Sequence, residues 1–222
     1  HLTEFVGLDL EMAIQNHYSE VLDVIDQMFI YIFDNIERRF AGELEAIQAQ
    51  YPFEPLRYNK EKNLRIKYPE AVAMLREDGM INIGDFDGLD TQSEKRLGAL
   101  VKAKYDTDFY FLEKYPMNAR PFYTMPCPDD ERYSNSYDIF LRGEEISSGA
   151  QRIHDSELLI RKAKEKCVDM APLQAYVDAF KYGAYPHAGC GIGLERTVMS
   201  YLALGNVRKT SMFPRDPRRL TP

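Results

Sequence analysis

The chain has 222 residues, 45% of them hydrophobic and 12% aromatic, enough to bury a sizeable core in one large domain or two small ones. A formal charge of −7 excludes a general basic field for nucleic acid, so any RNA contact must be local. No run of about 18 apolar residues and no basic-then-apolar leader occurs, which argues against membrane insertion and secretion.

In HLTEFVGLDLEM (1–12), Leu2, Val6, Leu8, Leu10 and Met12 alternate with His1, Thr3, Phe5, Gly7, Asp9 and Glu11, predicting a strand with a core face and a mixed face. Ser19 is positioned to cap a long helix in which Val21, Leu22, Ile25, Met28, Phe29, Ile32, Phe33, Ile36 and Phe40 recur at helical spacing. Residues 51 to 100 are looser, with prolines at 52, 55 and 69, a short helix at 69–77, the turn-rich GDFDGLD at 84–90 and a helix at 91–104; the stretch reads as a connecting insertion. Strands follow at 106–113, 120–125 and 136–153, the last a bent strand or a hairpin. Helices at 156–166 and 170–182 lead to the glycine-rich AGCGIGLERTVM and a final helix at 194–204. Successive strands with helices grouped elsewhere indicate an α+β fold with a mostly antiparallel sheet flanked by helices.

Three segments carry chemistry. Gly189, Gly191 and Gly193 are not spaced as a dinucleotide-binding turn, and too little chain follows for the second strand of such a unit. Glycines at every second position instead leave one strand face bare, and the helix that begins at Gly193, Leu194, Glu195 and Arg196 directs N–H groups and a guanidinium towards it, as a polyphosphate requires. A tight packing turn is the alternative. Residues 137–155 place Asp138, Glu145, Ser148 and Arg152 on one polar strand segment, where a turn or bulge near Gly143 or Gly149 would bring the two carboxylates to one face. Two carboxylates beside phosphate make a Mg²⁺ seat, and Arg152 offers a planar fork to a carboxylate; a solvated strand is the alternative. Phe5 can stack a base or belong to the core.

Of the histidines, only His187 lies beside the glycine face; His17 and His154 read as polar surface residues. Cys127, Cys167 and Cys190 form no CxxC pair, which argues against a zinc site or a disulfide framework and for a reducing compartment. The start at His1, inside a patterned segment, reads as a chain cut from something longer.

Together these segments resemble class II aminoacyl-tRNA synthetases, most closely the aspartyl branch of archaeal and eukaryotic cytosolic type. HLTEFVGLDLEM is similar to the second half of motif 2 and GCGIGLERTVM to motif 3, while SGAQRIHD and TSMFPRDP are typical of the aspartyl branch. The resemblance covers nearly the whole chain. It implies the C-terminal part of the class II catalytic domain, with motif 2 on 1–12, the insertion at about 51–104 and motif 3 on 189–204. It implies ATP-dependent activation of L-aspartate and its transfer to tRNA(Asp), a cytoplasmic homodimer and, for some members, a larger synthetase complex.

Carried onto this chain, Phe5 and Arg196 sandwich adenine, with Arg196 also reaching the γ-phosphate. His1, Leu2, Gly193, Leu194 and Glu195 complete the ATP pocket, Asp138 and Glu145 hold Mg²⁺, and Ser148 and Arg152 bind aspartate. Glu145 thereby serves both ATP and metal, and Arg196, Glu145 and Arg152 carry the catalysis. Cys190 stands where the family usually has glycine; by parity it faces away from the glycine face and should be tolerated. The motif 1 helix, the motif 2 arginine, the aspartate-recognition loop and the anticodon-binding domain are absent from these 222 residues, so this chain alone is expected to be inactive. Rival readings are an enzyme that also charges tRNA(Asn), a synthetase-like binding or scaffold module, and a relative of asparagine synthetase.

Overall fold

The computed structural model describes residues 1–221. Six strands form one sheet: β1 (Gly7–Ala13), β2 (Leu64–Lys67), β3 (Phe109–Glu113), β4 (Ser136–Leu141), β5 (Glu144–Gln151) and β6 (His187–Gly193), in the order β1-β6-β5-β4-β3-β2. All neighbours are antiparallel except β2 and β3. Seven α-helices flank the sheet: α1 (Ser19–Arg39), α2 (Ala41–Gln50), α3 (Tyr68–Glu77), α4 (Thr91–Tyr105), α5 (Ser156–Glu165), α6 (Gln174–Lys181) and α7 (Leu194–Tyr201). The α+β expectation holds.

The alternation of side chains along each strand decides what covers each face. Phe109 and Phe111 of β3, Tyr137, Ile139 and Leu141 of β4, and Cys190 and Ile192 of β6 point to one side, where they pack with Leu22, Ile25, Phe29 and Phe33 of α1. Cys190 therefore lies in the main core, 2% exposed, on the side parity assigns to it. On the opposite face, Tyr110, Leu112 and Phe140 meet Val72 and Leu75 of α3 and Leu97 and Val101 of α4. A smaller cluster of Ile153, Leu159, Val177 and Phe180 joins α5 to α6.

The long stretch 136–153 resolves into the β4–β5 hairpin. Its two-residue turn has Arg142 at φ 53° and Gly143 at φ 76°, the left-handed pair that matches the twist of adjoining strands.

Several boundaries differ from the sequence expectations. The first strand begins at Gly7, and Val6 and Leu8 are 56% and 50% exposed, because β1 lies at the sheet edge and only Leu10 and Met12 reach the core. Ser19 is the first helical residue, not the cap. Among the described residues no side chain caps α1; the Glu20 carboxylate instead accepts the N–H groups of Gln15, Asn16 and His17 in the turn ahead of the helix, which hold it below the usual carboxylate range.

Phe40, expected within the long helix, leaves helical geometry and separates α1 from α2. The stretch expected as a connecting insertion contributes β2 to the sheet and α3 and α4 to its second face; LRIK is too short and too charged to have announced itself as a strand. Residues 120–125 form no strand: Pro121 has no N–H, the Thr124 N–H turns back to the Pro121 carbonyl, and one bridge from Thr124 to Arg152 remains.

Candidate active site

In β6 the register places Gly191 between Asp9 of β1 and Ser148 of β5, with Gly189 beside Glu11 and Gly193 beside Gly7. Ser148 in turn faces Asp138 of β4. Residues directly opposite one another share a face, so these side chains line one continuous surface. The backbone is close-set at Gly189, where a Cβ would run into the Leu10 carbonyl oxygen and meet the Glu11 Cα at 2.8 Å. Gly191 is roomier, its nearest neighbour being the flexible Asp9 carboxylate at 3.0 Å.

The carboxylates converge through a bulge. Asp138 pairs with Ser148 and Ile139 with Ser147, but Phe140 pairs with Glu145, so β5 carries one extra residue at Ile146. That residue returns Glu145 to the face of Asp138. A turn does stand at Gly143, which folds β5 back beside β4, but the bulge that sets the common face lies at Ile146 and not at either glycine.

Glu94, from the first turn of α4, joins the pair from above. Burial raises Glu145 to about 7, with the Asp138 charge adding and Arg196 and Arg120 opposing. Burial likewise raises Glu94 to about 7, helped by Glu145 and Asp138. Three acids thus crowd one partly desolvated place, and the crowding raises the proton affinity of Glu145 and Glu94.

Two guanidiniums approach the same place. Arg196 Nη1 donates to the Glu145 carbonyl oxygen at 2.8 Å, which holds its side chain along β5 beside the carboxylates. Arg120, from the irregular 120–125 stretch, donates to Ser136 and Ser148 and touches Asp138. On the other side of the face, Arg152 pairs with Glu11 at 3.2 Å and lies over the Tyr123 ring.

The residues picked from the sequence are not equally central. Asp138, Glu145, Ser148, Gly193, Arg152 and Arg196 share the face or its rim. The Glu195 carboxylate accepts the Val6 N–H at 3.0 Å, and the Leu194 N–H donates to the Val6 carbonyl at 2.9 Å. Those two residues clamp the approach to β1 onto the start of α7. Phe5 precedes this clamp and is 67% exposed, so the core alternative for it is overturned; Leu194 is 49% exposed. Among the described residues, no hydrogen bond or ion pair ties His1 or Leu2 to the site.

His187 Nδ1–H donates to the Tyr185 carbonyl oxygen at 2.9 Å and the ring stacks on Phe180, while His17 and His154 are half-buried, not surface residues. Sequence reasoning missed Glu11, Glu94 and Arg120. Glu11 was legible from strand parity alone, whereas the other two enter from elements whose docking no local pattern reports.

The sequence profile described as "tRNA synthetases class II (D, K and N)" matches residues 1–217. The chain belongs to the class II tRNA synthetases. It is 57% identical over 222 residues to the cytoplasmic aspartate–tRNA ligase of Caenorhabditis elegans, covering 100% of this chain and 41% of that relative. Its fold is similar to the aspartyl-tRNA synthetase of Entamoeba histolytica, with a TM-score of 0.97, 56% identity, and coverage of 100% of this chain and 45% of the other. The asparaginyl-tRNA synthetase of Pyrococcus horikoshii is more distant, with a TM-score of 0.85, 29% identity, and coverage of 100% and 51%. The chain thus spans under half the length of these two aspartyl relatives and is a homologue of part of their catalytic domain. Its six-stranded, mostly antiparallel sheet is the corresponding part of the class II synthetase fold.

Proposed function

We propose that this chain is the C-terminal part of the catalytic domain of an aspartate–tRNA ligase, which in its complete form activates L-aspartate with ATP and transfers it to tRNA(Asp). The observation that carries the reading is the arrangement of one face: the Ser148 hydroxyl lies beside the Asp138–Glu145 pair, Arg196 stands at the end of a bare glycine strand, and the Arg152 guanidinium, paired with Glu11, occupies the other side of the same face. Its relatives are named cytoplasmic, and we place this protein there too.

In this reading the triphosphate lies along Gly191 and Gly193, with Phe5 and Arg196 on the two sides of adenine. His1, Leu2, Leu194 and Glu195 form the outer part of the pocket, the last two through the clamp on Val6. Asp138 and Glu145 fit a hard divalent cation because they are oxygen-only donors on one face, close enough that the Asp138 charge adds to burial in raising Glu145. Among the described residues, no three or more His, Cys, Asp or Glu side chains form a metal-ready group, so the pair would hold Mg²⁺ together with phosphate oxygens and water. When bound, the cation supplies charge neutralisation on the phosphates.

Arg152 exchanges its Glu11 contact for, or shares it with, the aspartate side chain; asparagine's amide would turn donor hydrogens towards a donor. The substrate carboxylate is already ionised at neutral pH and attacks the α-phosphorus without a general base. Positioning and charge stabilisation are therefore the main tasks of these residues.

The test is ATP–pyrophosphate exchange by the full-length protein. Exchange should require aspartate and collapse in Arg196→Ala and Arg152→Ala. No exchange with any amino acid would favour a synthetase-like binding module, and exchange driven by asparagine would move the protein to the asparaginyl branch.

A further inference from the structure

Arg120 is the most completely held charged side chain in this part of the molecule. Its side chain is 11% exposed and its guanidinium makes four contacts of three kinds. Nε donates to Ser136 Oγ at 2.9 Å, Nη1 donates to Ser148 Oγ at 3.0 Å, Nη2 lies 2.8 Å from Asp138 Oδ1, and the plane sits 4.0 Å from the centre of the Tyr115 ring.

The Nε contact is itself anchored. Ser134 Oγ donates to the Tyr115 carbonyl at 2.8 Å, so the 2.7 Å contact between the two serines leaves Ser136 as donor to Ser134 and acceptor from Arg120. Every proton in this chain has one direction. A guanidinium cannot be discharged in a protein, so burying it demands partners on all sides, and here those partners also fix its rotation.

What the two terminal nitrogens hold is the point of interest. Ser148 is exposed to the open face and belongs to the aspartate side, whereas Asp138 is buried and belongs to the metal and phosphate side. One planar fork therefore spans both half-sites at fixed separation. We propose that Arg120 is a positioning residue that couples the two: it sets the Ser148 hydroxyl for the amino acid and the Asp138 carboxylate for the metal-bound triphosphate. Placing one half-site correctly then places the other. Because Nη1 donates to Ser148, the Ser148 hydroxyl hydrogen is free to donate into the pocket. Because Nη2 holds Oδ1 of Asp138 at 2.8 Å, Oδ2 is the oxygen of that carboxylate left to meet a cation. Lysine has no such fork and can satisfy only one of the two at a time. This inference rests on the proposed function and adds to it a residue outside the motifs that suggested it.

The experiment uses the full-length protein with Arg120→Ala, Arg120→Lys, Ser136→Ala and Ser148→Ala. Two quantities are read: aspartate affinity without ATP or Mg²⁺, from the aspartate-induced rise in melting temperature, and the Mg²⁺ concentration giving half-maximal aspartate-dependent exchange. Loss of an outer partner of a metal ligand costs about 10–100-fold, so Arg120→Ala should shift both readings by about that factor. Arg120→Lys should restore at most one of them. Ser136→Ala, which keeps the guanidinium and loosens its anchor, should shift both in the same direction by less, and it serves if Arg120→Ala does not fold.

Ser148→Ala should move only the aspartate reading, and combined with Arg120→Lys it should move that reading by less than the product of the two single effects, because the residues act as a unit. Variants at Arg120 and Ser136 that leave both readings within about twofold of wild type would overturn the inference. So would full recovery of both by lysine, since charge alone would then suffice. A wild-type protein without aspartate-dependent exchange would instead sink the function reading, and the two failures are separable.

Discussion

One face of the sheet has two halves with opposite fates. Over β2, β3 and β4 it carries Tyr110, Leu112 and Phe140 and is roofed by α3 and α4. Over β5, β6 and β1 it carries Ser148, Gly191, Gly189, Asp9 and Glu11 and is left open. The strands and their alternation are the same; only side-chain volume and polarity differ. A helix docks where it can bury apolar area and stays away from glycine and carboxylate, so a ligand face arises without any change of fold. The boundary between the halves is the chemically active line, because the start of α4 brings Glu94 down beside Glu145 and Asp138.

The comparison can be broken first in its covered half. Leu97 is fully buried between α4 and the sheet, and Leu97→Ala should cost about 2–5 kcal/mol in the denaturant midpoint of the full-length protein, as cavity-forming core substitutions do. A loss below about 1 kcal/mol would mean that the roof is not packed as described.

In the open half the large effect falls on function. Arg152→Ala removes a guanidinium able to make two charge-assisted hydrogen bonds worth about 1.5–3 kcal/mol each, so kcat/KM for aspartate should fall by roughly 100-fold or more. Steady-state kinetics with the melting temperature as control checks this; an equal loss of folding stability would assign Arg152 to the scaffold.

Two neighbouring glycines sharpen the contrast further. Gly189→Ala forces a methyl into the β1 backbone and should destabilise by about 1–3 kcal/mol, whereas Gly191→Ala meets only a movable carboxylate and should fold nearly normally while weakening nucleotide binding. Equal melting temperatures for the two variants would contradict the register.

The smallest expected effect lies on the boundary. Glu94 sits near 7 when folded, above its ordinary value, so its contribution to stability is full in acid and is lost as pH rises towards 7. The charged neighbours that set this behaviour are Glu145, Asp138, Glu144 and Arg196. Glu94→Gln should therefore raise the melting temperature at pH 8, with the gain shrinking towards pH 5. A gain independent of pH would show that shape, not charge, is responsible.

Much of this site was legible from strand parity. Alternation placed the glycines on one face and Cys190 on the other, and both are so disposed because a strand has no freedom in that respect. The periodicity of α1 likewise named Val21, Leu22, Ile25, Phe29 and Phe33, which cover the core, but it also counted Phe40, which is exposed, and passed over the buried Ile30. Parity failed for Glu145 and Asp138, whose common face depends on a bulge at Ile146 that no glycine marks. It also overstated the first strand, since an edge position leaves Val6 and Leu8 exposed despite their apolar character.

The sequence by itself determined the fold class, the bare face and the polar residues of β4, β5 and β6, because these follow from local alternation and from which side chains are absent. Only the tertiary structure decided that Arg120 reaches Asp138 and Ser148, that Glu94 joins the carboxylates and that Glu11 holds Arg152. Those partners come from a loop, a helix and an edge strand separated by tens of residues. Their meeting depends on how each element docks on the sheet, which is a property of packing and not of any local pattern.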